Sequence, residues 1–519
     1  MHHLVRRILE ARVYDVAHVT PLEDMKRMGK RIGARILLKR EDLQPTFSFK
    51  IRGAYNKMAR LTGEERAAGV ICASAGNHAQ GVALAARTLN LRALMVMPVT
   101  TPSIKVDAVR GLGGEVVLFG DTFDDACAHA LVLAARDGLC FVHPYDDLDV
   151  IAGQGTIAME IFQQHPDPID AIFVPVGGGG LAAGIASYAK YLRPETLVFG
   201  VEPVDAASMK SAIEADRRVI LDSVGLFADG VAVRQAGIET FALCRRLLDG
   251  VITVDTDEIC AAIKDVFEDT RVLLEAAGAL SVAGAKAHIA RRGAPSNPVV
   301  AIASGANMNF DRLHHVAERA AVGEEREILL GVTIAERPGA YRQFIRLLGK
   351  RVVTEFNYRY NDPERAHVFV GLKLDGGKGE RNDLLATVRA HGLQVLDMSA
   401  NELAKSHIRH MSGGFAPDLP DEIILRCIFP ERAGALLDFL EAIGSRWNIS
   451  LFHYRSHGAD YGRILVGVQV PFDDRSRFEA TLDRLGYAWA EETDNPACNL
   501  FLRHHARTDT ALTEEEASL

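Results

Sequence analysis

Through the first 320 residues, short apolar runs alternate with stretches of helical periodicity, and this alternation narrows the fold more than any other feature. Runs of strand length fall at 93–97, 115–118, 171–174, 197–200 and 299–302. Helical patterns such as 121–137, 151–164 and 179–192 separate them. That order predicts mostly parallel sheets flanked by helices, with ligands bound at the carboxyl ends of the strands.

The chain has 519 residues, more than one core accommodates. Its composition, 48% hydrophobic and 24% charged, is that of a soluble globular protein. A formal net charge of −9, without a basic stripe, argues against nucleic acid or an anionic membrane as partner. The seven cysteines are scattered and form no Cys-x-x-Cys pair, which fits a reducing cytoplasm and argues against structural zinc. No apolar run is long enough to span a bilayer. Residues 1–7 lack a signal-peptide core and read as a docking helix.

The stretch Pro45-Thr46-Phe47-Ser48-Phe49-Lys50-Ile51-Arg52-Gly53 follows the apolar run 36–38. Tyr55, Met58, Ala59 and Leu61 then recur at helix-face spacing, so Lys50 falls in the first turn of a helix. The positive end of the helix dipole and burial would both lower its pKa and free the amine as a nucleophile. Taken alone, the segment reads more readily as an ordinary surface lysine, and three further stretches reverse that reading.

Three further stretches lie where strands end. Ser74-Ala75-Gly76-Asn77-His78 opens a helix, where exposed backbone N–H groups make a seat for a carboxylate. Simple N-capping by Ser74 or Asn77 is the plainer explanation of that segment. Gly177-Gly178-Gly179-Gly180-Leu181 lets the backbone wrap a tetrahedral anion, yet matches neither the dinucleotide fingerprint nor the GxxxxGK[ST] loop. Ser304, in Ser304-Gly305-Ala306-Asn307, presents a neutral hydroxyl. A nucleophilic lysine, a carboxylate seat, a phosphate cradle and a hydroxyl together fit pyridoxal 5'-phosphate.

These motifs, with the run 225–233, resemble the fold-type II pyridoxal-phosphate enzymes, whose catalytic domain is tryptophan synthase β-like. As far as residue 503 the chain resembles the biosynthetic threonine dehydratases. The resemblance implies that Lys50 holds the cofactor covalently and then removes the Cα proton of L-threonine. Asn77 would stand beside the cofactor's phenolic oxygen, residues 177–181 would bind its phosphate, and Ser304 its ring nitrogen. The product would be 2-oxobutanoate with ammonia. One departure is Glu275-Ala276-Ala277-Gly278 in place of the family's frequent Glu-Pro-Ser-Gly. The pocket motifs alone also fit serine dehydratase, racemase or threonine synthase activity, and an inert amino-acid sensor is the rival from another class.

Beyond residue 326 the sequence repeats itself. Glu327-Ile328-Leu329-Leu330 aligns with Glu422-Ile423-Ile424-Leu425, Glu336-Arg337-Pro338-Gly339-Ala340 with Glu431-Arg432-Ala433-Gly434-Ala435, and Phe356-Asn357-Tyr358-Arg359 with Phe452-His453-Tyr454-Arg455. Ordered blocks, offset by 95 residues and then by 96 after a one-residue insertion, indicate duplication. Each copy reads strand, helix, strand, strand, helix, strand, a ferredoxin-like unit, and resembles the ACT-like regulatory domains. The expected division is a catalytic domain at 1–320 and α+β regulatory domains at 327–400 and 422–503. The resemblance implies isoleucine as inhibitor, valine as its antagonist, and a homotetramer. Tyr358, Tyr454 and Arg455 are candidate effector or inter-repeat contacts, although paired core tyrosines would look the same. No metal-ligand cluster is evident.

Overall fold

The computed structural model describes residues 2–495 except 121, 226, 311, 325, 361–362, 376, 402–403, 406–408, 410–418, 431–434, 444–445 and 456–460. The repeat block 431–434, the linker 411–417, the side chain of Arg455 and the end of the second expected regulatory domain lie outside the described residues. The chain forms two compact units, Met1–Gly323 and Glu324–Leu519.

The first unit carries ten strands: β1 (Leu22–Asp24), β2 (Ile36–Lys39), β3 (Val70–Ala73), β4 (Ala93–Met97), β5 (Glu115–Leu118), β6 (Cys140–Phe141), β7 (Ala171–Pro175), β8 (Leu197–Pro203), β9 (Gly250–Val254) and β10 (Val299–Ile302). They form a six-stranded sheet ordered β1-β2-β10-β7-β8-β9 and a four-stranded sheet ordered β5-β4-β3-β6. Every pairing is parallel except β1 with β2 at the edge. Strands β3, β4, β7 and β10 are buried at every residue, as continuous apolar runs covered on both faces should be. The N-terminal helix His2–Leu9 buries Leu4, Val5 and Ile8, so it docks as its sequence suggests.

The helix Lys50–Ala59 is held from two sides. A side chain at Gly53 would meet the Gln154 amide at 2.3 Å, so glycine here allows close approach to the helix Leu148–Gln164. Beside it lies a sealed charge cluster. Arg52 pairs with Glu41 at 2.7 Å and with Glu160 at 2.6 Å, and Lys39 pairs with Glu160 at 2.6 Å, all four side chains being 0% exposed. Two cations balance two carboxylates, and Thr20 Oγ1 donates a further bond to Glu41 at 2.6 Å. The cluster ties β2, the Lys50 helix and the helix Leu148–Gln164 into one frame.

The second unit has strands β11 (Glu327–Ala335), β12 (Val353–Arg359), β13 (Arg365–Lys373), β14 (Gln394–Asp397), β15 (Glu422–Pro430), β16 (Asn448–Arg455), β17 (Tyr461–Gln469) and β18 (Ala488–Glu491). The first repeat orders them β14-β11-β13-β12 and the second β16-β17-β15-β18, the same arrangement turned end for end. Antiparallel pairing of β12 with β16, Tyr358 opposite Phe452, merges both repeats into one eight-stranded sheet. The duplication reaches individual side chains. Thr354 Oγ1 donates to Glu327 at 2.5 Å, and Ser450 Oγ donates to Glu422 at 2.5 Å.

Candidate active site

Lys50 is the first residue of its helix, at the mouth formed by the ends of β2 and β10. The preceding loop is pinned to the β10 side: Phe49 N–H donates to the Ser304 carbonyl at 3.2 Å, and Ser48 bridges Gly305. Burial brings the Lys50 amine down to about 8, against the opposing pull of Glu275. Desolvation is thus the main cause. The amine donates to the Pro144 carbonyl at 2.8 Å.

Asn77 opens the helix Asn77–Leu89. Its Oδ1 accepts a bond from Asn307 Nδ2 at 2.7 Å, and its Nδ2 donates to Glu275 Oε1 at 2.6 Å. Asn307 Nδ2 also donates to the Thr46 carbonyl at 2.8 Å. This chain fixes the orientation of the Asn77 amide and leaves its second N–H for a ligand oxygen. Glu275 is buried and its carboxyl is raised to about 7 by desolvation, with Asp229 adding to the rise.

The glycine run leads into the helix Gly180–Leu192. The Gly178 carbonyl accepts a bond from Thr240 Oγ1 at 2.6 Å, and the Gly179 carbonyl one from the Cys244 thiol at 3.7 Å. The loop's carbonyls are therefore engaged, while a helix start leaves its first N–H groups without intrahelical acceptors. Gly179 has φ 96°, and a side chain at Gly178 would meet the Tyr145 ring at 2.3 Å. Both positions require glycine. Ser304 is buried, its Oγ 3.4 Å from the Ala277 carbonyl.

The fold brings Lys50, Asn77, the 177–181 loop and Ser304 to strand ends of the same unit. Ser74 Oγ accepts the Gly76 N–H at 3.2 Å, shaping the Ser74–Asn77 turn. His78 is buried, with Nε2 2.8 Å from the Val142 carbonyl, and desolvation pulls its ring down to about 3. A neutral His78 can offer a carboxylate only its backbone N–H. Sequence reasoning gave no role to Asn307, Thr46 or Pro144. Asn307 stands inside a motif already singled out, but its partners come from 230 and 261 residues away.

Tyr358 and Tyr454 both lie in the core of the second unit. The Tyr358 hydroxyl bonds Glu336. On the other face of β12, Arg409 donates to Glu355 at 2.9 Å and lies 3.7 Å from Glu327. Asn357 Nδ2 donates to the Arg409 carbonyl at 3.0 Å. Buried Asn357 Oδ1 and Arg409 Nη1 have no hydrogen-bond partner among the described residues. No cluster of three or more potential metal ligands occurs among the described residues, and none of their helices is long and apolar enough to cross a membrane.

An activated lysine, a rigid amide, a helix-terminal glycine cradle and a neutral hydroxyl define a pyridoxal-phosphate enzyme of fold type II. Residues 13–305 match the pyridoxal-phosphate dependent enzyme family. Residues 318–408 and 416–502 match the C-terminal regulatory domain of threonine dehydratase. The chain is 55% identical over 504 residues to the biosynthetic L-threonine dehydratase of Burkholderia multivorans, covering 96% of this chain and 99% of that one. It is 51% identical over 498 residues to the Escherichia coli enzyme of that name, 96% of each chain being covered. The processed form of threonine deaminase isoform 2 from Solanum lycopersicum superposes with a TM-score of 0.61 at 53% identity, over 62% of this chain and 88% of that one. The chain belongs to the biosynthetic threonine dehydratase family.

Proposed function

We propose that this chain removes the β-hydroxyl of L-threonine as water, that the resulting enamine takes water up again as it releases ammonia and becomes 2-oxobutanoate, and that isoleucine restrains it through the second unit. The observation carrying the catalytic reading is Lys50, buried at a helix start with its amine brought down to about 8. Lys50 would hold pyridoxal 5'-phosphate covalently, the N–H groups of Gly177–Leu181 would bind its phosphate, Asn77 Nδ2 its phenolic oxygen, and Ser304 its ring nitrogen. The bound cofactor supplies an electron sink for the charge left at Cα.

This chain's residues then orient and move protons. The N–H groups of the turn 74–78 hold the substrate carboxylate. Lys50, once its amine is free, would accept the Cα proton, and its lowered pKa would let the neutral base form near pH 8. The Asn307–Asn77–Glu275 chain keeps the amide from rotating. Ser304, a neutral hydroxyl, places no negative charge at the ring nitrogen, so the sink stays weak and elimination competes with transamination.

The regulatory reading rests on the second unit. Buried Arg409 Nη1 and Asn357 Oδ1 together offer a donor for a carboxylate and an acceptor for an ammonium, the chemistry of a free amino acid. Tyr358, Tyr454 and Arg455 remain effector or inter-repeat candidates. Isoleucine must prefer a less active arrangement, and valine the opposite, because equal affinity shifts nothing. The reading includes a catalytic domain at 1–320, regulatory domains at 327–400 and 422–503, a homotetramer and a cytoplasmic location.

Keto-acid formation from threonine and from serine, titrated at several isoleucine concentrations, tests the whole scheme. Threonine should be preferred and isoleucine should raise the half-saturating threonine concentration. Serine preference would favour the serine dehydratase alternative. Retained isoleucine inhibition after removal of residues 327–519 would sink the regulatory reading.

A further inference from the structure

Lys105 has no part in the scheme above. It is the third residue of the helix Ser103–Gly111, which connects β4 with β5 of the four-stranded sheet. Its side chain is 16% exposed, and its Nζ lies 2.9 Å from Asp229 Oδ2. Asp229 opens the short turn Asp229–Val231, which follows β8 of the other sheet. The pair therefore crosses from one sheet's flank to the other's. The same turn packs on the glycine loop, since a side chain at Gly177 would meet Val231 Cα at 3.0 Å.

The ammonium also stands over the proposed carboxylate seat. The atom nearest to a Cβ built on Gly76 is Lys105 Nζ, at 3.9 Å. Other charged groups of this corner are Glu275, whose carboxyl feels Asp229 and Lys105 in opposite senses, and Arg312, 3.6 Å from Asp229. An exposed ion pair would be worth little. This one is mostly buried on its lysine side and borders a turn that otherwise offers only neutral N–H groups.

We propose that Lys105 is a specificity-determining residue: its ammonium, positioned by Asp229, recognises the substrate α-carboxylate at the rim of the Ser74–Asn77 turn. The inference rests on reading that turn as the carboxylate seat. An ammonium has three donors and Asp229 takes one, so Lys105 can bond a carboxylate without giving up its anchor. A substrate whose carboxylate is masked as an amide loses that ionic contact while keeping the N–H contacts of the turn.

The test uses the holoenzyme and a ligand that cannot lose a β-hydroxyl, L-2-aminobutanoate, compared with its carboxamide by calorimetric titration. In Lys105→Met, binding of the acid should weaken about tenfold while binding of the amide stays unchanged, as expected for loss of one charge-assisted hydrogen bond. The KM for threonine should rise by a similar factor with kcat little changed. Lys105→Arg should restore most of the discrimination, and Asp229→Asn should lose part of it. Equal weakening of acid and amide in Lys105→Met, or a fall in kcat at constant KM, would overturn the proposal. If Lys105→Met keeps full discrimination while Ser74→Ala reduces it, the seat stands and Lys105 has no such role. If neither variant alters discrimination, the seat falls with it. Should Lys105→Met not fold, Lys105→Arg and Asp229→Asn decide: wild-type discrimination in Asp229→Asn together with wild-type KM in both overturns it.

Discussion

Behind Lys50, the charges of Lys39, Glu41, Arg52 and Glu160 balance and every one of these side chains is sealed from solvent. In the second unit, Arg409 faces two buried carboxylates, Glu327 and Glu355. The titrations follow suit. Arg52 and the other neighbours hold Glu41 below the ordinary carboxylate range despite full burial. Glu327 is pushed up by desolvation, and Glu355 is pushed up to about 7. The first cluster is closed and rigid. The second retains Arg409 Nη1 and Asn357 Oδ1 without partners among the described residues, an arrangement fitted to a zwitterion. On the regulatory reading proposed above, the second network is the one that a ligand would complete, whereas the first is complete from within.

The sharpest separation of the two regions comes from Lys50→Ala. Cofactor attachment should be lost and kcat should fall by at least about a thousandfold, since a nucleophile and a base disappear together. Isoleucine binding to the purified variant, measured by equilibrium dialysis, should stay close to wild type. Borohydride reduction of the wild-type enzyme followed by peptide mass spectrometry should find the label on Lys50. A label elsewhere would remove the catalytic assignment.

Breaking the two clusters should then expose their difference. Arg52→Met leaves two carboxylates buried without their principal cation and should cost the first unit about 3–5 kcal/mol. Calorimetry at pH 6 and pH 8 should find that loss larger at pH 8, because Arg52 is the principal cation that holds the buried Glu41 low and its removal lets the carboxylates take up protons as pH falls. Arg409→Met should cost less, about 1–3 kcal/mol, and more at pH 8 than at pH 6, because Glu355 can take up a proton as pH falls below about 7. An equal, pH-independent loss in both variants would erase the contrast.

Much of this was legible in the sequence, for reasons that differ between the regions. Lys50, the 74–78 turn and the 177–181 loop are local motifs, because anion binding at a helix start needs only consecutive small residues. The duplication was legible because ordered blocks 95 to 96 residues apart persist, and the strand order of each repeat is the one that its pattern predicts. Fusion of the repeats was not legible: the pairing of β12 with β16 joins edges, and an edge strand carries no sign of its partner. The Asn307–Asn77–Glu275 chain was hidden too, since it joins residues about 200 positions apart. The Arg52 cluster gathers residues from four separate segments, so its parts read as ordinary charges.

Glu275 supplies a finer test within the first unit. Its carboxyl is raised to about 7 when folded, so the stability it contributes is present below the unfolded value of 4.5 and is lost as pH rises through 7. Glu275→Gln removes that loss. In the cofactor-free protein the variant should gain about 2–3 kcal/mol relative to wild type between pH 5 and pH 8. The amide still accepts the Asn77 N–H, so cofactor loading should persist. A constant difference between the two proteins across this range would mean that the Glu275 carboxyl titrates as it would in water.

The smallest effect expected belongs to Tyr358. Its hydroxyl meets Glu336, and Glu336 Oε1 accepts a bond from Asn448 Nδ2 at 3.1 Å, so this contact runs from the first repeat into the second. The ring itself packs in the core beside Tyr341, at a centroid distance of 5.1 Å, and Tyr358→Phe keeps that packing. What is cut is the hydroxyl's link to Glu336 and its contact with Tyr341. If the contact belongs to the sensor, half-inhibition by isoleucine should move about threefold, roughly the worth of one net hydrogen bond, while kcat and KM without isoleucine stay at their wild-type values. Unchanged inhibition would make Tyr358 a core tyrosine and nothing more. A shift of catalysis in the absence of effector would instead place this strand in the path that sets the resting activity, and the separation of a self-contained catalytic frame from a ligand-completed sensor would have to be redrawn along β12.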